Sequence, residues 1–363
     1  MNEDAGEMKW RAEEAADAAK AAGAATSIAD GAGAAAAAAT VATATGAPSR
    51  RRAQSIREPL APGTYVEYSV DDQPGVVERA RAFLAGAPGE PVAPRMAATV
   101  MLVSEGKPHY RRFESPLAGG DPIEETVEAA PVDVFMLRRA STMAFTPDAV
   151  VFPGGGMDAR DVECAVPWAG PAPAQWAALM SCPESVARGV ITAAAREVFE
   201  ESGVLLASAP DGTPVVDERG DHWAAEREAV AARQVSFGEF LRERGLVLRS
   251  DLLRLRSHWV TPESEARRYD TYFFLARLPK GQHADGRTSE AVEAAWIAPG
   301  EALARFDAGL LKLVPPTISN LTSIVAADSV EAAWSIPFDG HVRPRPVARP
   351  NGDVVLGCEV SGT

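Results

Sequence analysis

The stretch CPESVARGVITAAAREVFEESG, residues 182–203, predicts the strongest helix in the chain. Ser181 and Glu184 fit an S-x-x-E capping box at its start. Gly203 stands where a helix commonly ends, because glycine adopts the left-handed conformation of a C-cap at low cost. The long alanine-rich interior favours helix throughout. We therefore expect one continuous helix that ends at Gly203.

Three glutamates near the end of this helix form an unusual charge pattern. Glu197, Glu200 and Glu201 project within an arc of about 100° on an α-helix. Glu201 is the i+4 neighbour of Glu197, and like charges at this spacing repel each other. A solvated surface is the ordinary explanation for glutamates on a helix, but it usually alternates them with Lys or Arg. Divalent cations remove such repulsion, and hard Mg²⁺ or Mn²⁺ prefers carboxylate oxygens.

A glycine triplet precedes the helix in the sequence. VFPGGGMD, residues 151–158, places Gly154, Gly155 and Gly156 directly after a short predicted strand. Glycines let the backbone approach a ligand or metal closely and offer carbonyl oxygens that a side chain would block. On its own, the triplet is equally compatible with a flexible turn.

The two segments together resemble the Nudix box, whose pattern is G-x5-E-x7-R-E-U-x-E-E-x-G-U with U apolar. FPGG at 152–155 is similar to its beginning, and REVFEESGV at 196–204 is similar to its second half. Every fixed position of that second half matches, namely Arg196, Glu197, Val198, Glu200, Glu201, Gly203 and Val204. A chance glutamate-rich helix is the alternative, and the complete second half argues against it.

The first half of the box departs from the pattern. Gly155 and Arg196 lie 41 positions apart, where the pattern places them 14 apart, so about 27 residues interrupt the box. Eight positions before Arg196 stands Arg188 instead of a glutamate. The role of that glutamate is absent or taken by another residue, and Glu184 and Glu163 are the candidates.

An interruption at this point is similar to the coenzyme A diphosphatase subgroup of the Nudix family. HWVTPESEARRYDTYFFLARLPKGQ, residues 258–282, resembles that subgroup's W-x-T-P…R-[FY]-D-T-x-F-[FY] stretch, and LVPPT at 313–317 resembles its Pro-Pro element. The resemblance covers roughly residues 94–330. Of the signature that precedes FPGG, Arg139 and Ala140 match, whereas Ala144 and Asp148 stand where the subgroup has Arg and Gly.

The resemblance implies a hydrolase that cleaves a diphosphate with the help of Mg²⁺ or Mn²⁺. For the subgroup, the substrate is coenzyme A or acyl-CoA, and the products are 3′,5′-ADP and (acyl-)phosphopantetheine. Arg196 is implied to pair within the box and hold the glutamates, with contact to phosphate as the alternative. The implied metal ligands are Glu197, Glu200, Glu201 and a backbone carbonyl of Gly154 or Gly155.

The resemblance also implies a further catalytic glutamate, because Nudix enzymes often take one from a later loop. Glu290 is the candidate, since it lies six positions before Trp296 at the start of a predicted strand. Glu293 is the runner-up. A general base must reach the attacking water, and an ordinary loop glutamate is the alternative.

Substrate contacts are expected from several basic and aromatic residues. Arg139 belongs to the partial signature, and Arg267 and Arg268 precede a predicted buried strand, where they bind phosphate or form surface salt bridges. Asp270 is a candidate to orient one of these two arginines. In the interrupting segment, Trp168 and Trp176 are candidates for a lid over the substrate, with plain packing as the alternative; Trp168 is the one retained as a substrate contact.

Other functions stay open from the sequence. Within the enzyme class, the alternative substrates are ADP-ribose, NADH, nucleotide sugars or nucleoside triphosphates. A non-catalytic Nudix nucleotide sensor is a different class; the missing glutamate at Arg188 favours it, and the intact second half argues against it. A disordered scaffold protein would rest on the composition of the N-terminus alone.

Composition excludes some partners. The chain has 363 residues and a formal net charge of −14, so a general nucleic-acid surface is not expected. Cys164, Cys182 and Cys358 show no CxxC spacing, which predicts a reducing, cytoplasmic compartment. The N-terminus lacks the order of a signal peptide, and no stretch is apolar enough to span a membrane. The partner is therefore a small nucleoside diphosphate-linked molecule; a homodimer is compatible with the sequence.

We predict three regions. Residues 1–92, rich in Ala, Gly and Pro, form a disordered or loosely helical extension. Residues 93–330 form the Nudix hydrolase domain, with an insertion at about 159–187. Residues 331–363 form a tail with a β-hairpin around Asn351-Gly352. Mixed strands and helices predict an α+β fold, and the resemblance implies the Nudix-type α/β/α sandwich with a mixed sheet between helices.

Overall fold

The computed structural model describes residues 62–71, 73–86, 89–106, 109–113, 123–127, 129–142, 146–217, 222–288 and 291–361. The helices are α1 (Pro74–Leu84), α2 (Ala159–Glu163), α3 (Pro173–Met180), α4 (Glu184–Ser202), α5 (Ala224–Ala231), α6 (Phe237–Glu243), α7 (Pro299–Asp307), α8 (Pro315–Ile324) and α9 (Val330–Ser335). The strands are β1 (Tyr65–Ser69), β2 (Arg95–Ser104), β3 (His109–Phe113), β4 (Ile123–Val127), β5 (Asp133–Arg139), β6 (Val150–Val151), β7 (Gly154–Gly156), β8 (Trp168–Ala169), β9 (Ala207–Ser208), β10 (Val247–Arg249), β11 (Leu253–Val260), β12 (Tyr269–Arg277), β13 (Ala291–Ile297), β14 (His341–Val342), β15 (Arg345–Ala348) and β16 (Val354–Ser361).

A mixed sheet carries the fold. Within the described residues its strands follow the order β1-β16-β14-β11-β12-β2-β5-β13, and β7, β6 and β15 extend β2, β5 and β16. The central pair β2–β12 is parallel, with Met96 opposite Asp270, whereas β11–β12 and β5–β13 are antiparallel. The predicted mixed sheet is therefore confirmed.

Helix α4 covers one face of this sheet. Its apolar side chains, among them Ile191 and Phe199, are fully buried and cluster with Ala98, Val100 and Leu102 of β2. These alternate residues share one face because strand side chains point alternately to the two faces. Complete burial of a large apolar side chain contributes about 1.5–3 kcal/mol, so this interface firmly fixes the position of α4.

The opposite face of the sheet is also buried. Met101 and Val103 of β2 are completely buried, although they point away from α4. Helix α8 packs on this side, where Ser257 of β11 lies 3.0 Å from the amide oxygen of Asn320. The fold is thus the expected α+β sandwich, with helices on both faces of the sheet.

The two ends of α4 differ in how well the sequence predicted them. Gly203 is the C-cap, with φ of 74°, and its N–H donates to Phe199 O at 3.0 Å, as expected. The capping box of Ser181 and Glu184 is wrong: Pro183 is the N-cap, and no side chain caps the helix start. Ser181 instead adopts the left-handed conformation that ends α3.

The segment that interrupts the Nudix-like box is folded. It contains α2, β8 and α3, and β8 joins β10 and β9 in a separate three-stranded sheet. The charged stretch 220–244 forms the two helices α5 and α6 over its described residues. Arg233 between them has a positive φ of 59°, and Ser236 caps α6 through the Glu239 N–H at 3.2 Å.

The ends of the described chain contribute to the sheet. β1 pairs antiparallel with β16, and α1 follows it. Within the predicted extension 1–92, residues 65–69 form β1, with Val66 and Tyr68 buried in the sheet, and residues 74–84 form the helix α1; residues 1–61 lie outside the described residues. β15 and β16 form an antiparallel hairpin whose connection contains Asn351 and Gly352.

The β3–β4 hairpin is a unit of its own, with antiparallel pairing from His109 opposite Val127 to Phe113 opposite Ile123. In the part of the chain that the structure describes, no helix has the length and apolar character needed to cross a membrane. The cysteines Cys164, Cys182 and Cys358 are free thiols.

Candidate functional site

The glycine strand β7 runs alongside the C-terminal half of α4. The Gly154 N–H donates to Glu201 Oε2 at 2.8 Å, which fixes this carboxylate on the backbone. At Gly155 a Cβ atom would lie 2.5 Å from Glu197 Oε1, a distance that real contacts do not allow. The predicted glycines and glutamates are thus adjacent, and a side chain at position 155 would require the Glu197 carboxylate to move.

Arg196 is the hub of the carboxylates. Its Nη1 donates to Glu197 Oε1 at 2.7 Å and to Glu200 Oε1 at 3.1 Å. Its Nη2 donates to the Gly156 carbonyl at 2.9 Å, which ties the hub to β7. The implied role of Arg196, pairing within the box, agrees with these contacts.

The structure adds one residue that sequence reasoning missed. Asp161 of α2 is only 3% exposed and accepts hydrogen bonds from Arg196 Nε and Nη2, each at 3.0 Å. The signal was present in the sequence, since x5-E counted forward from Gly155 reaches position 161. The interruption thus lies between this acidic position and Arg196, whereas the count back from Arg196 reached Arg188.

The residues considered for the missing glutamate lie elsewhere. Arg188 and Glu184 form an exposed i,i+4 pair on α4, with Nη2 and Oε1 3.3 Å apart. Glu163 is exposed at the end of α2. None of the three is a partner of Arg196 among its hydrogen bonds, so Asp161 fills the acidic position.

The electrostatics of this cluster favour an added cation. Burial alone would lower the pKa of Arg196, but Glu197, Asp161 and Glu200 together raise it above its ordinary value, so the guanidinium stays charged. The Arg196 guanidinium contacts the carboxylates of Asp161, Glu197 and Glu200, and Glu197 and Glu201 are 8% and 5% exposed. Carboxylates gathered in this way are oxygen ligands of the kind that a hard cation prefers.

The donor set fits a hard divalent cation. Glu197, Glu200 and Glu201 offer carboxylate oxygens beside the backbone of β7, and the Glu197 carboxylate lies directly against the backbone of Gly155. Oxygen ligands of this kind suit Mg²⁺ or Mn²⁺. Within the described residues, no three acidic, His or Cys side chains already surround a common point.

Arg139 lies at the end of β5, on the face of the sheet that α4 covers. Phe135 and Leu137 precede it at alternate positions and belong to the core cluster with α4. Among the described residues, the buried Arg139 Nε has no hydrogen-bond partner. A buried donor without an acceptor costs about 1–3 kcal/mol, which makes this Nε a candidate donor to a ligand.

The expected catalytic glutamate is only partly described. Glu290 lies outside the described residues. Glu293, the runner-up, is on β13 and pairs with Arg138, with Oε2 and Nε 3.2 Å apart. Arg138 neighbours Arg139 in sequence, so Glu293 lies on the strand next to the candidate phosphate ligand.

The arginines before β12 have different surroundings. Arg268 donates from Nε to Thr261 O at 3.0 Å and from Nη1 to Val92 O at 2.8 Å, whereas Arg267 is exposed. The expectation that Asp270 orients one of them is wrong, because its carboxylate contacts His258 Nε2. That His258 ring stacks on Tyr272, with centroids 4.0 Å apart.

The two tryptophans of the interruption contribute to packing. Trp176 is 4% exposed and meets Phe274 edge to face, with centroids 6.0 Å apart. Trp168 is half-buried in β8, and its indole N–H donates to Pro171 O at 2.8 Å. Both rings therefore have partners within the fold.

Comparisons with known proteins agree with this site. The family model of the NUDT19 Nudix domain matches residues 173–324. The acyl-coenzyme A diphosphatase NUDT19 of Gallus gallus is 30% identical over 279 residues, covering 62% of this chain and 67% of that protein. The chain belongs to the Nudix hydrolase family. It is a hydrolase of diphosphate bonds, as this family implies.

Further relatives of this Nudix hydrolase are more distant. The acyl-coenzyme A diphosphatase NUDT19 of Xenopus laevis is 24% identical over 229 residues and covers 53% of this chain and 59% of that protein. A crystal structure of a NUDIX hydrolase from Alicyclobacillus acidocaldarius is 27% identical, covers 69% of this chain and 99% of that chain, and gives a TM-score of 0.49.

Proposed function

We propose that this Nudix hydrolase cleaves the diphosphate of coenzyme A or acyl-CoA to 3′,5′-ADP and (acyl-)phosphopantetheine. The observation that carries the proposal is the 30% identity to an acyl-coenzyme A diphosphatase over 279 residues. The family-model match over residues 173–324 contains the carboxylates Glu197, Glu200 and Glu201 of α4.

Mg²⁺ or Mn²⁺ is the proposed cofactor. Glu197, Glu200 and Glu201, with a backbone carbonyl of Gly154 or Gly155, would hold it. Such a cation, when bound, neutralises phosphate oxygens and lowers the pKa of a coordinated water. The support is the grouping of these three carboxylates at the end of α4 and the close approach of the Gly155 backbone to Glu197.

The residues of the chain would position these groups. Asp161 holds the Arg196 guanidinium, and Arg196 in turn holds Glu197 and Glu200 in one orientation. Arg139, whose Nε has no acceptor among the described residues, would bind a phosphate oxygen of the substrate. Water attacks one phosphorus atom, the bridging P–O bond breaks, and Glu290 is the proposed acceptor of the water proton.

A substrate panel tests the proposal. The purified protein is incubated with Mg²⁺ or Mn²⁺ and with coenzyme A, acyl-CoA esters, ADP-ribose, NADH or nucleoside triphosphates, in water enriched in ¹⁸O. Mass spectrometry identifies the products and the phosphate that carries the label. We expect 3′,5′-ADP and phosphopantetheine from coenzyme A, and no product after chelation of the cation.

Other results would contradict the proposal in distinct ways. Cleavage of ADP-ribose but not of coenzyme A would overturn the substrate and leave the family activity intact. Binding of a nucleotide without turnover of any member of the panel would favour the sensor. Turnover that persists in chelator would overturn the cofactor.

A further inference from the structure

A buried arginine outside the Nudix box holds the end of α4. Arg227 of α5 is 6% exposed, and its Nε donates to the backbone carbonyl of Glu200 at 2.9 Å. Its Nη1 donates to Asp285 Oδ1 at 2.5 Å. The last turn of a helix has carbonyls without intrahelical partners, and a cation beside them is favourable. Arg227 is therefore hydrogen-bonded to the helical turn that carries Glu200 and Glu201.

Asp285 joins a second segment to the same turn. Its backbone N–H donates to Ser202 O at 2.9 Å, so the segment 283–288 is anchored on the end of α4. Its carboxylate also accepts the Arg287 N–H at 3.0 Å, which shapes the turn that follows. This segment leads directly to position 290, where the proposed proton acceptor stands.

The box glycine makes room for this arrangement. Gly203 has a φ of 74°, and a Cβ atom there would lie 2.9 Å from Arg227 Nη1. Glycine at this position thus serves two needs, the left-handed cap and the close approach of the guanidinium. The glycine that ends the Nudix box thus allows the close contact between Arg227 and the end of α4.

The burial of the Arg227–Asp285 ion pair is weak evidence that the pair serves only to stabilise the fold. An apolar pair of similar volume often stabilises a protein as well or better. What an apolar pair cannot supply is a hydrogen bond to the Glu200 carbonyl together with a fixed anchor for residues 283–288. We propose that Arg227, with Asp285, is a positioning residue that holds the turn of α4 carrying Glu200 and Glu201 against residues 283–288.

This inference rests on the proposed function, because it assigns the α4 carboxylates to a cation. Displacement of a catalytic group by about 1 Å can reduce the rate about 10²-fold. Lysine at position 227 keeps the charge but lacks the planar fork that reaches two acceptors. Loss of the fork should therefore disturb the carboxylates while leaving the buried charge in place.

The experiment compares Arg227→Lys, Arg227→Gln and Asp285→Asn with wild type in the full chain. Arg256→Lys is the matched control. Arg256 of β11 is completely buried, and its Nη2 lies 3.2 Å from Oδ1 of its partner Asp339. The readouts are kcat and KM for coenzyme A, Mn²⁺ affinity from the spin resonance of free Mn²⁺, amide hydrogen exchange of residues 200–204, and melting temperature.

In the three test variants we expect kcat to fall about 10²-fold with little change in KM, weaker Mn²⁺ binding, and faster exchange at residues 200–204. Arg256→Lys should lower the melting temperature without these changes. If Arg227→Gln does not fold, Asp285→Asn and Arg227→Lys give the answer. Wild-type kcat, Mn²⁺ affinity and exchange in both of these variants would overturn the inference.

The outcome separates this inference from the proposed function. If wild type hydrolyses no member of the panel, but Arg227→Lys still weakens Mn²⁺ binding and loosens residues 200–204, the substrate proposal fails and the positioning role stands. If wild type hydrolyses coenzyme A and the variants match it, the function stands and the positioning role fails.

Discussion

At the scale of single residues, Gly155 and Gly156 offer a matched pair. A Cβ at Gly155 would overlap the Glu197 carboxylate, whereas at Gly156 a Cβ would meet nothing within 4 Å. We expect Gly155→Ala to displace Glu197, weaken Mn²⁺ binding and reduce turnover by orders of magnitude. Gly156→Ala should retain near wild-type values for both. Equal effects of the two substitutions, measured by steady-state kinetics and Mn²⁺ titration, would contradict this geometry.

Glu200 offers a second test at this scale. Glu200→Gln keeps the size of the side chain and removes one negative charge from the proposed cation ligands. We expect turnover to fall by orders of magnitude and the circular dichroism spectrum to stay unchanged. Glu184→Gln on the same helix is the control, because Glu184 is exposed and pairs only with Arg188. Near-normal activity of Glu200→Gln would show that the ligand assignment is wrong.

The residues of the site differ in how far the sequence predicted them. The glutamates of α4 and the glycines of β7 were predicted together, because their spacing along the chain carries the pattern. Asp161 was missed, since the interruption shifts the count and only one of two counting directions reaches it. The pairing of Asp270 with His258 depends on β11 lying beside β12, which no local pattern shows.

At the scale of elements, the short helix α2 matters because Asp161 on it holds Arg196. Asp161→Ala removes one partner of a buried charge, and such a loss costs about 3 kcal/mol. We expect a decrease of this size in the free energy of unfolding, measured by urea denaturation, together with reduced turnover. Glu163→Ala on the same helix should change the free energy by no more than about 0.5 kcal/mol. Similar losses in both variants would contradict a specific role for Asp161.

Asp158, the N-cap residue of α2, makes the stability of the protein depend on pH. The side chain and backbone of Arg160 donate to Asp158 and lower its pKa to about 2, below the ordinary 3.8. As the pH falls, the unfolded chain therefore binds this proton first, and the stability from Asp158 is present above about pH 4 and lost toward pH 2. We expect the melting temperature to fall less over this range in Asp158→Asn than in wild type. Equal decreases would contradict the lowered pKa.

Elements were easier to predict than their boundaries. The existence of α4 and its end at Gly203 follow from periodicity and glycine. The start of α4 could not be predicted in this way, because Ser181 caps the end of α3. The sequence pattern alone does not show which of the two neighbouring helices a capping residue belongs to. The stretch 220–244 shows the same limit, since Ser236 begins a second helix inside a charged run.

At the scale of the whole molecule, the described N-terminal segment should contribute to stability. β1 pairs with β16 and buries Val66 and Tyr68, and the Tyr68 ring meets Trp259 with centroids 6.2 Å apart. Each large apolar side chain buried in this way contributes about 1.5–3 kcal/mol. We expect a variant that lacks residues 1–92 to melt at a clearly lower temperature than one that lacks residues 1–61. Equal melting temperatures would instead support the predicted domain boundary at residue 93.

The sheet as a whole exceeds what the sequence predicted. Individual strands such as β2 and β12 follow from apolar runs, but their parallel pairing joins segments far apart in the chain. The membership of β1 in the sheet was missed because the composition of residues 1–92 outweighed one short alternating strand. The cytoplasmic location and the homodimer stay predictions.

The interruption of the box also bears on how the molecule folds. Asp161 and Arg196 are 35 positions apart, where the Nudix pattern separates the equivalent residues by 8. Closing the longer loop costs about 1 kcal/mol more in chain entropy. A contact of this range tends to form after local structure, late on the folding pathway. Cations bound at this cluster would then slow unfolding more than they accelerate folding. A bound cation would therefore lengthen the lifetime of the native state.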